Sequence, residues 1–389
     1  MRTLLLCLLA CACAGERFKG VPEKYRAPLE EALTRAGTNK GELEKALEEA
    51  EGEEKEGVAF LVAYMPERDL TSMRGADLLL NARLAYEARR RFAWARSVPD
   101  SIFLNDALPY AILNEKREDW RSGFYRRFAP LVEGCASARE AIKTLNACIR
   151  DELQVDYNTR RRKPDQSPSE SMEQGMASCS GLSILLTDAF RSVGIPSRVA
   201  GAASWHDDRG NHTWCEVWLD GKWYFTEYYP DELDRAWFLA DAGRARPGDR
   251  EYGVWASSFK PTGSSFPLVW DRSIDYVPAV DVSSRYISAY QALSGRQEAD
   301  GSHVRLRVRA FSGKSNSPED RLKVNVDVFQ GKEQVGGGST PGPTRDMNET
   351  LEFLVEKRRE YTLKYWLPDG TAKEAKVLVK DAPLEVTLR

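Results

Sequence analysis

GMASCSGLSILLTDAFRSVGIPSRV occupies residues 175–199, and NHTWCEVWLDGKWYFTE occupies residues 211–227. The fold turns on reading these two stretches together. In the first, Leu182, Leu185, Leu186, Ala189, Phe190 and Val193 recur at i, i+3, i+4, i+7, i+8 and i+11. That spacing predicts a helix with one buried stripe. Gly194 is placed to end it, and Pro196 enforces the stop. Cys179 therefore stands at a helix amino terminus, where free N–H groups and the helix dipole favour a thiolate. A strand follows over Ser197 to Gly201. The polar loop with Asp207, Asp208, Gly210 and Asn211 reads as a hairpin tip, because it lacks the ligand spacing of a calcium loop. His212 to Leu219 reads as a strand, Asp220-Gly221 as a two-residue turn, and Lys222 to Tyr228 as the return strand.

The turn sets a register. A two-residue loop pairs Leu219 with Lys222, and counting back pairs Trp214 with Glu227 and His212 with Tyr229. His212 and Glu227 then become diagonal neighbours on one face, at roughly 7–8 Å between backbones. A glutamate side chain spans that gap and can orient the imidazole. A bulge near Gly221 would shift the pairing. Cys179, His212 and Glu227 together supply a thiol, a base and an orienting carboxylate, the minimum set for nucleophilic catalysis.

The helix-borne Cys179, the GIPSRV strand, the His-x-Trp-x-Glu-Val run from His212 and the Gly-x-Trp from Gly221 resemble the transglutaminase-like superfamily, a papain-like cysteine fold. The resemblance is close over 173–238. It implies an α+β core in which the Cys-bearing helix packs on an antiparallel sheet. It also implies Cys179 as nucleophile and His212 as base. The family's third member is usually Asp, at the position that Glu227 holds here. Asp231 is the reserve acid, because relatives such as peptide N-glycanases carry an acidic cluster just after this strand. For the oxyanion, the backbone N–H of Cys179 is one donor by position. Gln174 is a candidate second donor through its side-chain amide, as in papain-like sites. Trp205 is a candidate wall of the substrate cleft. His206 reads as a surface-loop residue, His303 as structural or exposed, and Cys215 as core on the face opposite His212.

Composition narrows the remaining options. The 389 residues predict two or three domains. The chain is 42% hydrophobic and 10% aromatic, enough for packed cores. A formal net charge of −3 provides no global basic field for nucleic acid. Only three histidines are present, which disfavours multi-histidine metal sites. No CxxC, GxSxG, HExxH, Walker or dinucleotide fingerprint occurs. No metal or cofactor is expected.

Residues 1–14, MRTLLLCLLACACA, read as a signal peptide, too short to span a bilayer. Leu8 to Cys11 resembles a lipobox and makes Cys11 the candidate lipidation site. Cys13 is a second acceptor, and plain cleavage near Ala12 or Ala14 is the alternative. A helical region is expected over 15–125, where Leu29, Leu33, Leu43 and Leu47 recur at helical spacing. The catalytic domain is expected over 126–280 and a linker over 281–300. A small antiparallel β-sandwich is expected over 301–389, with GGGSTPGP at 336–343 as a turn. Cys135 and Cys148 could form a bridge, or serve as two small buried residues.

The expected function, on that resemblance, is a cell-envelope cysteine amidase or peptidase that works through a thioester. Its substrate would be a peptide, protein, glycopeptide or cell-wall fragment. Its membrane link would be the lipid, and nucleic acid would not be a partner. Acyl transfer to amines, removal of N-linked glycans, and a non-catalytic surface-binding module are the alternatives.

Overall fold

A computed structural model describes residues 18–208, 210–229, 232–313, 315–345, 347 and 349–389. Residues 1–14, expected as a signal peptide with Cys11, and Asp231 lie outside these residues. The chain mixes helix and sheet and divides into two compact units. The first holds the described residues up to Ala200, with Thr213–Leu233 and Ala256–Val280. The second holds Gly201–His212, Asp234–Trp255 and Asp281–Arg389.

The first unit opens with the helices Arg26–Arg35, Lys40–Glu49, Glu54–Tyr64 and Gly75–Arg91. Leu29, Leu33, Leu43, Leu47, Leu78, Leu79, Ala82 and Ala85 are all buried, as their helical spacing requires. Packing does not stop at residue 125. Ala88, Phe92 and Ala95 join a core with the helices Trp120–Val132, Ala138–Leu153 and Cys179–Ser192. The Trp94 indole donates to the carbonyl of Val193 at 3.0 Å. The helical leader and the Cys-bearing region thus share one unit.

The Cys179–Ser192 helix is more enclosed than its sequence predicts. The apolar stripe is buried, but Ser183, Thr187, Asp188, Arg191 and Ser192 are buried too. Helices and sheet cover it on all sides, and most of its polar residues find partners inside; Asp188 Oδ1 has no hydrogen-bond partner among the described residues. The Arg191 guanidinium donates to the carbonyls of Ser197 at 2.9 Å and Ala111 at 3.0 Å. Burial pushes the Asp188 carboxyl well above its ordinary value; Glu115 adds to this, while Arg191 and Arg121 oppose it.

The sheet that carries the hairpin has the order Lys222–Thr226, His212–Leu219, Ser197–Ala202, Val254–Ser257, Ala279–Asp281. Ser197–Ala202 is central and buried along its whole length. Asp220 and Gly221 both have positive φ, 52° and 81°, the conformation of the two-residue turn that Asp-Gly favours. Inside the unit, Arg198 donates to Glu216 at 2.8 Å and lies over the Trp223 ring at 3.9 Å.

In the second unit, the stretch expected as a linker is the helix Ser283–Ala299. Among the described residues seven strands follow, in two sheets. One has the order Glu333–Ser339, Asn325–Gln330, Glu360–Trp366, Ala372–Leu378. The other has the order Leu351–Glu356, His303–Ala310, Leu384–Leu388. Val304, Leu306, Val308, Val326, Val328 and Leu363 contribute to one core from both sheets. Two details differ from the expected pattern. Leu384–Leu388 runs parallel to His303–Ala310, because the chain crosses from one sheet to the other after Leu378. Gly336–Ser339 is strand rather than turn, paired with Asn325–Val328. A Cβ at Gly338 would lie 2.4 Å from Leu351, so the close approach of two strands demands glycine there.

Arg121 is buried, and its guanidinium donates to Asn81 and to the carbonyls of Ala107, Leu108, Pro109 and Arg191 at 2.7–3.1 Å. Replacing Arg121 by Leu strands several of these acceptors. We expect the unfolding free energy to fall by roughly 3–5 kcal/mol. Chemical denaturation of the variant measures this, and a change below 1 kcal/mol refutes the role.

Candidate active site

Cys179 is the first residue of its helix and is half-buried. Ser178 caps the helix: its hydroxyl accepts from the N–H of Gly181 at 3.1 Å and donates to the carbonyl of Pro164 at 2.6 Å. The chain enters this corner through Met176–Ala177, which pairs parallel with Asp156–Tyr157. The helix start is therefore fixed by a cap on one side and a short strand pair on the other.

The same helix is tied to the strand that His212 opens. The Ser180 and Thr213 hydroxyls are 3.1 Å apart and buried. Cys215 lies 3.3 Å from the Thr187 hydroxyl and donates to the carbonyl of Ser183 at 3.2 Å. Cys215 is thus core, as its alternation from His212 predicts. Ser180 follows Cys179 and Thr213 follows His212, so the hydroxyl pair aligns the two segments at their starts. In the second unit, the His212 ring lies 5.0 Å from the ring of Trp237 and 5.4 Å from that of Phe238.

The hairpin holds the expected register from Leu219↔Lys222 to Cys215↔Thr226, with no bulge at Gly221. Trp218 faces Trp223, with ring centroids 5.4 Å apart. The return strand ends at Thr226, one residue before Glu227 and short of the expected Tyr228. The Glu227 carbonyl instead accepts from the side-chain amide of Asn146 at 2.6 Å. Tyr229 turns to another partner: its hydroxyl accepts from the N–H of Tyr157 at 2.9 Å and donates to Asp156 at 3.2 Å. Tyr157 is in turn paired with Ala177, two residues before Cys179. The segment around Glu227 and the entry to Cys179 are thereby held to one frame.

The two expected accessory residues have other surroundings. Gln174 closes the helix Pro168–Gln174, and both ends of its amide are engaged locally. Its oxygen accepts from the N–H of Arg162 at 3.0 Å, and its nitrogen donates to the carbonyl of Glu170 at 2.9 Å. Trp205 is buried, and its ring meets that of Trp237 edge-on at 6.3 Å. The residues that sequence reasoning missed are Ser180, Thr213, Asn146, Tyr229 and Trp237. Thr213 was within reach of the strand pattern, since it alternates with His212 toward the helix. Asn146 and Trp237 carry no local signal, because their partners are set by packing. Among the described residues, no group of three or more His, Cys, Asp or Glu side chains could hold a metal ion.

Residues 126–228 match the family model of the transglutaminase-like superfamily, so the chain carries a domain of that superfamily. The superfamily's chemistry is in general cysteine-based acyl transfer or hydrolysis. No curated protein sequence matches the chain.

The four cysteines of the described residues are free thiols, Cys135 and Cys148 included, so of the two readings of that pair the bridge is the one not formed. Burial pushes the Cys215 thiol up to about 12 and the Cys148 thiol up to about 11. Both stay protonated at pH 8, and the thiolate is the reactive form. Timed iodoacetamide treatment at pH 8 with peptide mapping is expected to leave Cys215 and Cys148 unmodified in the folded protein and to alkylate both after unfolding. Because both values are raised, their protonated forms favour the folded state, and that contribution falls as pH rises above about 9.

Proposed function

We propose that this transglutaminase-like domain is a cysteine amidase or peptidase of the papain-like type. The observation that carries the reading is the Ser180–Thr213 hydroxyl pair, which aligns the Cys179-bearing helix start with the strand that His212 opens. The Cys179 thiol passes its proton to His212, Sγ attacks the amide carbonyl, and the carbonyl oxygen takes the negative charge. The backbone N–H of Cys179 is one donor to that oxygen, and Gln174 is the candidate second. His212 protonates the leaving amine as the C–N bond breaks, which leaves a thioester on Cys179. His212 then takes a proton from water, and the resulting hydroxide attacks the thioester to release the acid and the thiol. Glu227 orients His212; Asp231 is the reserve. The helix amino terminus lowers the free energy of the thiolate.

Hydrolysis is favoured over transfer because no acceptor-amine site is recognisable in the sequence. The C-terminal strands form a β-sandwich in this reading. The amino-terminal segment is an export signal with Cys11 as its lipid-bearing residue, which holds the enzyme in the cell envelope.

Cys179→Ala is expected to lower amide turnover by about a thousandfold or more with the circular dichroism spectrum unchanged. Unchanged turnover of a peptide that the wild type cleaves would falsify the mechanism. Incorporation of a labelled amine, measured in parallel, separates transfer from hydrolysis. Metabolic labelling with a fatty-acid analogue is expected to mark the wild type and not Cys11→Ser; equal labelling removes Cys11 as the anchor.

A further inference from the structure

The second unit contains an open cavity of about 860 Å³. The loop with His206, Asp207 and Asp208 forms part of its wall, Arg244 and Arg246 form another part, and Lys323 with residues 339–345 and 349–352 forms the rest. A void of this size takes a molecule rather than a single ion. Its charges are unevenly matched. Glu352 accepts from Arg305 at 2.8 Å and Arg307 at 2.7 Å. Glu349 accepts from Arg345 at 2.9 Å. Asp208 accepts from the Tyr252 hydroxyl, and Asp207 from the N–H of Ser339, both at 2.8 Å. The wall's carboxylates are thus each engaged.

Arg244 and Arg246 differ from Arg345, the wall's other arginine, and from Lys323, which donates to the carbonyl of Asp207 at 2.9 Å. Arg244 is half-buried and its guanidinium lies 3.3 Å from His206 Nε2. Arg246 lies over the Tyr252 ring at 4.2 Å. Neither is held in an ion pair with a carboxylate among the described residues, although Asp249 is near enough to Arg246 for the two charges to attract. Two guanidiniums in one cavity, held by an imidazole and an aromatic ring, are preset to receive carboxylates in bidentate geometry. The cavity loop also reaches toward the proposed base: Trp205, next to His206, and His212 both contact the ring of Trp237.

We propose that this cavity binds a carboxylate-bearing stretch of a peptide substrate, with Arg244 and Arg246 as its specificity-determining residues. This rests on the reading of the chain as a peptide-cleaving enzyme, but its test does not need turnover. A fluorescein-labelled pentaglutamate peptide, titrated into full-length protein at low ionic strength, is expected to bind. Arg244→Gln with Arg246→Gln is expected to weaken binding at least tenfold. Arg246→Glu, at an exposed position, is expected to lose pentaglutamate and to gain pentalysine. Cys179→Ala is expected to bind as the wild type does, so failure of the catalytic reading leaves this result standing. Equal binding by wild type and the double glutamine variant overturns the proposal. So does full displacement of the peptide by equimolar inorganic phosphate, which would assign the cavity to a phosphate ligand instead.

Discussion

A helix enclosed on every side must satisfy its polar side chains from within the protein. The Cys179–Ser192 helix does so at both ends, with Asp188 Oδ1 as an exception among the described residues. Near its start, Ser180, Ser183 and Thr187 meet Thr213 and Cys215 of the neighbouring strand. Near its end, Arg191 reaches carbonyls at Ser197, Pro109 and Ala111, while Arg121 donates to the Arg191 carbonyl. One buried helix therefore joins the strand of the hairpin to the amino-terminal helices. This explains why the helical leader is not a separate body: its segment 107–111 supplies acceptors that the enclosed arginines require.

That anchoring leaves the helix start as the place where reactive chemistry can be presented. Cys179 is only half-buried, and its position is set by a cap, a strand pair and a hydroxyl pair rather than by a loose loop. Rigid elements hold side chains to tighter tolerances than loops do. Glu227 is held differently. It stands just past a strand end, with its backbone pinned by Asn146 and the following segment pinned by Tyr229. In the proposed reaction this pinning fixes where the longer acid starts, which matters because a glutamate has one more rotatable bond than an aspartate to restrain.

Much of the hairpin was legible in the sequence. Asp220-Gly221 dictates the turn, the turn dictates the register, and the register puts Trp218 against Trp223. The helix boundaries at Ser178 and Gly194 were legible for the same reason, since caps and stops act within a few residues. Other features were misleading when read locally. The polar face of the Cys179–Ser192 helix looks solvent-exposed until Arg121 and the strand cover it. The glycine run at 336–338 looks like a turn until Leu351 and Phe353 crowd it.

By itself, then, the sequence determined the helix that starts at Cys179, the strand that starts at His212, the turn between the hairpin strands and the alternation of the C-terminal strands. Each of these follows from propensity, capping or periodicity among residues close in the chain. Only the tertiary structure decided that the helix is fully enclosed, that the leader packs into the same unit, and that the return strand stops before Glu227. Those outcomes depend on Arg121 with Arg191, Asn146 with Glu227, and Ser180 with Thr213, pairs separated by 70, 81 and 33 residues. Such pairs form because burial makes an unpartnered polar group costly, and which partner arrives is settled by packing rather than by local pattern.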